Sequence, residues 1–288
     1  MTSDQERASQ HFSSDENLKK RQEIHSKYSF PSFDFTHWVV DQIHLSGTEL
    51  VLDIGCGRGT YHDILRNIFP HIRYVGLDYS LGMLKSHQYN NGRLVQSDAP
   101  KLPFADHSFD VVMANHMIYH LNDIESALEE FKRVLKPDGI LVCATNSIHT
   151  TQELQILFRR AILVLTHEQA STVQAPPLIS NRFSLENGVR LLSHIFPAVV
   201  RYDLPGMLVF NDTKPVVEYV DSTRSLREHL LPDDVSWEDA VMIFEQYVRQ
   251  LIDHLGELEI NKLSGVLISS SKGGFIKEFE KIKARVDA

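Results

Sequence analysis

A chain of 288 residues exceeds one average domain of roughly 150 residues, yet suits one large core with an added helical part. Its 42% apolar and 23% charged residues are ordinary for a globular protein, which excludes a fibrous or wholly disordered chain. The formal net charge of -9 argues against a general nucleic-acid binder, because neutralising phosphates takes a concentrated Lys/Arg surface.

Residues 1–16 are polar, lack the basic start and apolar run of a secretory signal, and read as a mobile tail. Residues 17–46 form an N-terminal helical cover, broken at Tyr28-Ser29-Phe30-Pro31, with Phe35, Val39 and Ile43 on one face. Within it Lys19-Lys20-Arg21 is the densest basic run, which reads as a solvated helix face. Thr48 to Ile54 is the first strand. It runs into glycines at 55, 57 and 59 and then into a helix carrying Tyr61, Ile64, Leu65 and Ile68.

Strands follow at Ile72 to Leu77, Arg93 to Gln96, Phe109 to Ala114 and Ile140 to Ala144, alternating with helices. The helix before the last of these has Asn122 and Glu125 as a capping box, an apolar stripe from Ile124 to Leu135, and Pro137-Asp138-Gly139 as its stop. Such alternation predicts an α/β, doubly wound, mainly parallel sheet over residues 47–150. Residues 151–288 supply a lid of acceptor-binding helices and the last strands of the same overall domain. Gln152 to Leu165 is its first helix, and His167 to Asn181 is an irregular connection suited to a substrate cover. A helix ending near Phe196, a strand from Ala198 to Asp203 and a separate extended piece from Met207 to Phe210 come next. Two helices, Pro215 to Leu230 and Ser236 to Leu255, precede a last strand at Val266 to Ser270 and a turn at Gly273-Gly274.

Cys56 and Cys143 offer neither a disulfide framework nor metal-ligand spacing, so the expected home is a reducing cytoplasm and no metal is expected. No apolar stretch approaches the roughly 20 residues of a membrane span.

The glycines let the backbone approach a ligand closely. Their spacing is G-x-G-x-G; the dinucleotide fingerprint G-x-G-x-x-G would need glycine where Thr60 stands. Asp53, ahead of the glycines, opposes a pyrophosphate and suits a ligand with an ammonium group. Asp78 ends the second strand, where a carboxylate accepts from ribose hydroxyls, and Asp98 follows the next strand within reach of an adenine amino group. One aspartate alone reads as a cap or loop residue; three at successive strand ends read as a nucleoside site.

These residues resemble the class I S-adenosylmethionine-dependent methyltransferases, in particular the type 11 domain of ubiquinone/menaquinone-biosynthesis-like small-molecule enzymes. The resemblance runs from about Leu50 to Asn146, through Val51-Leu52-Asp53-Ile54-Gly55-Cys56-Gly57-Arg58-Gly59, Gly76-Leu77-Asp78-Tyr79-Ser80 and Ser97-Asp98-Ala99. It continues in Leu102 to Asp110 and in Arg133-Val134-Leu135-Lys136-Pro137-Asp138-Gly139. It implies a seven-stranded sheet with five parallel strands and a final antiparallel strand inserted near the edge. It also implies S-adenosyl-L-methionine held by Asp53, Gly55, Cys56, Gly57, Asp78, Tyr79, Ser97, Asp98, Ala99 and Asn115, with Tyr28 reaching in from the cover.

Methyl transfer from a sulfonium requires an aligned acceptor, and a base only where that acceptor must lose a proton. His116 and His120, after the fourth strand, are the expected catalytic residues, His116 first; His149 follows the fifth strand. Each also suits a packing or acceptor-lining role. Asn115-His116-Met117-Ile118 departs from the Asn/Asp-Pro-Pro-Tyr/Phe motif of nucleic-acid amine methyltransferases, which favours a small-molecule acceptor. Met117, Tyr119, Phe183 and Phe210 are the expected apolar walls of its pocket. The expected function is methylation of an O, N or C atom of a small molecule in secondary metabolism. The alternatives are a nicotinamide-dependent oxidoreductase on a related fold and a non-catalytic methyltransferase-like regulatory subunit.

Overall fold

The structure is a computed structural model and describes residues 16–88, 93–166 and 173–273. Most of the expected tail, part of the connection from His167 and the Gly274 half of the last turn lie outside the described residues.

The chain opens with α1 (Glu16–Tyr28), the two-residue β1 (Ser29–Phe30) and α2 (Phe35–Asp41). Then come β2 (Leu50–Ile54), α3 (Thr60–Ile68), β3 (Arg73–Asp78), α4 (Leu81–Ser86), β4 (Leu94–Gln96) and β5 (Phe109–Met113). A 3-10 turn at Ile118–His120 leads to α5 (Ile124–Val134) and β6 (Leu135–Asn146). The remainder is α6 (Gln152–Leu165), α7 (Leu185–Ile195), β7 (Ala198–Phe210), α8 (Thr213–Asp221), α9 (Arg224–Arg227), α10 (Trp237–Leu255) and β8 (Leu258–Ser270).

One sheet has the order β1-β7-β8-β6-β5-β2-β3-β4. β4, β3, β2, β5 and β6 are parallel, and β8 lies antiparallel between β6 and β7. The order reverses at β2, with β3 on one side and β5 on the other, so a crevice opens at their carboxyl ends.

Both sheet faces are covered, as parallel strands require. Leu52, Ile54, Val112, Leu141 and Leu267 point to the side of α5 and α7. Val51, Val111, Met113, Val142 and Val266 point to the side of α2 and α3. That two-residue alternation is the pleat itself. A second core stands beyond the sheet edge, where the outer halves of β7 and β8, with Leu208, Phe210 and Ile260, meet Phe158 of α6, Val216 of α8 and Trp237 and Phe244 of α10. Each such fully buried side chain contributes about 1.5–3 kcal/mol through its area removed from water.

Six sequence expectations are corrected here. Among the described residues the sheet has eight strands, because the cover contributes β1, which pairs with β7 through Ser29↔Leu208 and Phe30↔Met207. The cap of α5 is Asp123, whose carboxylate accepts from Ser126 N and from Ser126 Oγ, one residue after Asn122. Pro137-Asp138-Gly139 lies inside β6, where the ladder slips from Phe109↔Leu135 to Val111↔Ile140. β7 runs unbroken through Pro205-Gly206, because β1 pairs only with residues 207 and 208 and leaves Pro205 on an edge, where a missing N–H costs no ladder bond. β8 begins at Leu258, eight residues before Val266, and the expected helix from Pro215 to Leu230 divides into α8, α9 and a 3-10 turn.

Candidate active site at the β2–β5 crevice

β2 ends in a loop whose glycines all have left-handed φ: 70° at Gly55, 53° at Gly57 and 89° at Gly59. Gly55 and Cys56 donate their N–H groups to Leu77 O, at 2.7 and 3.0 Å, which pins the loop to the end of β3. A Cβ on Gly55 would lie 2.8 Å from Met117 Cβ, so only glycine lets the two loops meet. A Cβ on Gly57 would meet nothing within 4 Å: the space over this peptide is open to a ligand.

Asp78 joins the loop to the next strand end. Its Oδ2 accepts from Gly57 N at 2.9 Å and its Oδ1 from Ser80 N at 2.8 Å. Burial raises its pKa and those backbone donors oppose the rise. Each oxygen keeps a second lone pair for a hydroxyl donor. Beside it lies a groove of ≈ 570 Å³ lined by Tyr79, Ser80, Leu81, Gln96, Ser97 and Asp98. Tyr79, 46% exposed, holds Gln96 Nε2 through its carbonyl at 3.2 Å. Ser97 donates from its N–H to Asp78 O and from Oγ to Lys101 O, while Ala99 is buried beneath.

Asp53 sits under the glycine loop, 2% exposed, accepting from Tyr74 Oη at 2.7 Å. Burial pushes its pKa up to about 7, the charge of Asp78 adds to this, and the tyrosine hydroxyl opposes it. His62 stacks on Tyr74 with ring centroids 4.2 Å apart. Cys56 turns its thiol into the gap left by Gly76, 2.9 Å from where a Cβ there would stand, so it offers the site its backbone. Burial drives that thiol's pKa upward.

Across the crevice, Asn115 Oδ1 accepts from Ala144 N at 2.8 Å, while its buried Nδ2 has no hydrogen-bond partner. An orphaned buried donor costs about 1–3 kcal/mol and belongs where a ligand supplies the acceptor. His116 follows with φ 54°, a strained value for a residue with a side chain, its N–H held by Ala144 O and its ring 5.3 Å from Phe35. Burial alone lowers its pKa to about 4, so the imidazole is neutral across the working range. His120 packs on Tyr119 at 4.6 Å, and His149 is exposed.

The structure therefore gathers Asp53, Gly55, Gly57, Asp78 and Asn115 at one crevice, with Tyr79, Ser97 and Asp98 around the adjoining groove and Ala99 in the core. Tyr28 contacts the second core, 4.9 Å from Phe210. Phe183 shares the first core with Met117 and Tyr119, whereas Phe210 belongs to the second. Arg21, read as part of a solvated face, is half-buried and donates to Ser222 O at 2.9 Å, joining α1 to the end of α8. His25, Tyr219 and Lys262, which gather near it, carried no signal in the local pattern. Among the described residues no group of three or more His, Cys, Asp or Glu is placed to hold a metal, and no helix is long and apolar enough to cross a membrane.

A family model described as "Methyltransferase domain" matches residues 52–143, the stretch from β2 into β6. A demethylmenaquinone methyltransferase of Staphylococcus haemolyticus is 32% identical over 166 residues, covering 50% of this chain and 68% of that protein. A malonyl-[acyl-carrier protein] O-methyltransferase of Legionella pneumophila is 34% identical over 116 residues, or 38% of this chain and 41% of that protein, so the chain spans only about two fifths of this relative. In fold, the chain matches a Haemonchus contortus phosphoethanolamine N-methyltransferase, with TM-score 0.54 at 15% identity over 94% of this chain and 61% of that one. With the strand order and the glycine loop already fixed by geometry, these similarities place the kinship: the chain belongs to the class I S-adenosylmethionine-dependent methyltransferases, in their ubiquinone/menaquinone-biosynthesis-like group.

Proposed function

We propose that this protein transfers a methyl group from S-adenosylmethionine to an oxygen, nitrogen or carbon atom of a small-molecule acceptor. The observation that carries this is Asp78, a carboxylate fixed by two backbone donors between an open glycine loop and a nucleoside-sized groove. The fit with the cofactor is further supported by the orphaned Asn115 amide and by the uncovered Gly57 peptide. When bound, the cofactor supplies an electrophilic methyl group on a sulfonium.

In this reading the protein's own work is binding, alignment and exclusion of water. Asp78 accepts from the ribose hydroxyls, the adjoining groove takes the adenine with Asp98 at its rim, and Gly55 and Gly57 admit the methionine part. Asp53 balances its ammonium group from below, and Asn115 Nδ2 donates to its carboxylate. The neutral His116 imidazole takes a proton from acceptors that must lose one, and His120 lines the acceptor's approach. The matched region ends at residue 143, ahead of the helical cap, and the relatives carry two different acceptor names. Acceptor choice is therefore assigned to the cap.

Titration calorimetry with S-adenosylhomocysteine tests the reading. Wild type should bind, and Asp78→Asn should bind about 10- to 100-fold more weakly, the loss of one or two charge-assisted hydrogen bonds. Equal affinity of the two proteins would remove Asp78 from the ribose; no binding by the wild type would sink the proposal.

A further inference from the structure

The site above leaves unused a group of basic and phenolic side chains where α1 meets α8 and the outer strands. Arg21, His25 and Tyr28 sit at i, i+4 and i+7 of α1, on one helix face. Arg21 donates to Ser222 O at 2.9 Å. His25 meets the ring of Tyr219, on α8, edge to face at 5.5 Å, and its buried Nδ1 has no hydrogen-bond partner. From β8, Lys262 projects on the same face as buried Ile260 and Leu258, so a cation stands at the margin of the second core. Its Nζ donates to Ser29 Oγ at 2.8 Å, and its Cε passes over Gly206, 3.9 Å from where a Cβ would be.

These groups sense one another. Burial lowers His25 to about 3, and Lys262, His116 and Arg21 all push it further in that direction. Arg21 in turn acts on the buried phenols of Tyr119 and Tyr219. A buried imidazole nitrogen with no partner, flanked by a guanidinium and an ammonium, is a place where a bound anion completes the hydrogen bonding. His116, of the proposed methyl-transfer site, is among the groups whose charge acts on His25.

We propose that Arg21, His25 and Lys262, with the hydroxyls of Tyr119 and Tyr219, recognise an oxyanion on the acceptor, a carboxylate or a phosphate. The inference rests on the methyltransferase reading and deepens it by naming the acceptor's class. Guanidinium and ammonium donors supply charge-assisted hydrogen bonds to such a group, and the phenols add neutral ones. His25 becomes a donor through both ring nitrogens once the anion restores its proton. The anion then holds the acceptor at one end while the atom to be methylated faces the crevice.

The test uses the full chain saturated with S-adenosylhomocysteine, whose binding is measured first on the same sample. Imidazole resonances are followed by NMR while inorganic phosphate, or in a separate arm acetate, is titrated at constant ionic strength; His25→Gln assigns the reporter. A saturable shift of His25 in either arm is expected: phosphate alone identifies a phosphorylated acceptor, and saturation by both identifies the shared oxyanion chemistry. Arg21→Gln and Lys262→Gln should each weaken that binding about ten-fold or more, with S-adenosylhomocysteine affinity unchanged; Lys262→Gln serves alone if the Arg21 variant does not fold. Absence of saturation in both arms, or wild-type anion affinity in the folded variants, overturns the proposal while cofactor binding still stands. Failure to bind S-adenosylhomocysteine overturns both readings together.

Discussion

Asp53 and His116 are both shifted chiefly by burial, in opposite directions, and the consequences differ. The Asp53 carboxyl is raised to about 7, so the ligand-free fold prefers it protonated. Its contribution to stability is full at acid pH and is lost as pH climbs from the ordinary carboxylate range through about 7. An ammonium group bound above it favours the ionised form, so cofactor binding near pH 6 should release up to about one proton. Calorimetry with S-adenosylhomocysteine in two buffers of different ionisation enthalpy measures this, and Asp53→Asn should abolish the release; a buffer-independent enthalpy in the wild type would show that Asp53 does not sense the ligand. His116, lowered to about 4, stays neutral down to that pH, so a base role predicts an acid limb near 4 and not near 6.5. His116→Gln should lose that limb and about 10²-fold or more in rate for an acceptor that must be deprotonated. A variant profile superimposable on the wild type would take His116 out of the chemistry.

At the level of elements, the cofactor half was legible because its signals are local. Glycines at 55 and 57, an aspartate at each strand end and the apolar runs of β2, β5 and β6 are each written within a few consecutive residues. The motif residues outside the site proved to be stitches: Asp110 accepts from Leu50 N and Lys136 Nζ, tying the starts of β2, β5 and β6. Arg133 likewise bonds Glu130, Asp106 and the carbonyls of Leu102 and Phe104. What could not be read were features set by distant partners. Two residues make β1 a strand only because Leu208 and Met207 are there to pair, and Pro205 is tolerated only because that pairing stops short of it. The α5 cap was misplaced by one residue, since Asn122 and Asp123 are both good caps and the backbone chose the second. Asp123→Ala should therefore cost about 1 kcal/mol in urea unfolding, whereas Asn122→Ala should cost a few tenths at most. The reverse ranking would restore the sequence assignment.

For the whole molecule, two cores divide the labour. The sheet and its flanking helices set out the crevice, and the outer halves of β7 and β8 carry a helical cap with its own apolar interior. Sequence periodicity showed α6 and α10 well, but not that α1 faces α8 and β7, which is why Arg21 was read as solvated and His25 and Lys262 escaped notice. Their meeting spans more than two hundred residues of chain.

The inserted strand β8 has a consequence for how such a protein diversifies. The chain leaves β6 after Asn146 and returns along β8, and these two strands are neighbours, with Asn146 opposite Ser264. Ser147 N donates to Leu263 O and Thr151 N to Asn261 O, so departure and return points are hydrogen-bonded to each other. A segment whose ends already touch closes at an entropic cost that grows only slowly with its length. The cap helices α6, α8, α9 and α10 thus lie on a segment whose length can change at small entropic cost, while α7 and β7 within it stay tied to the sheet.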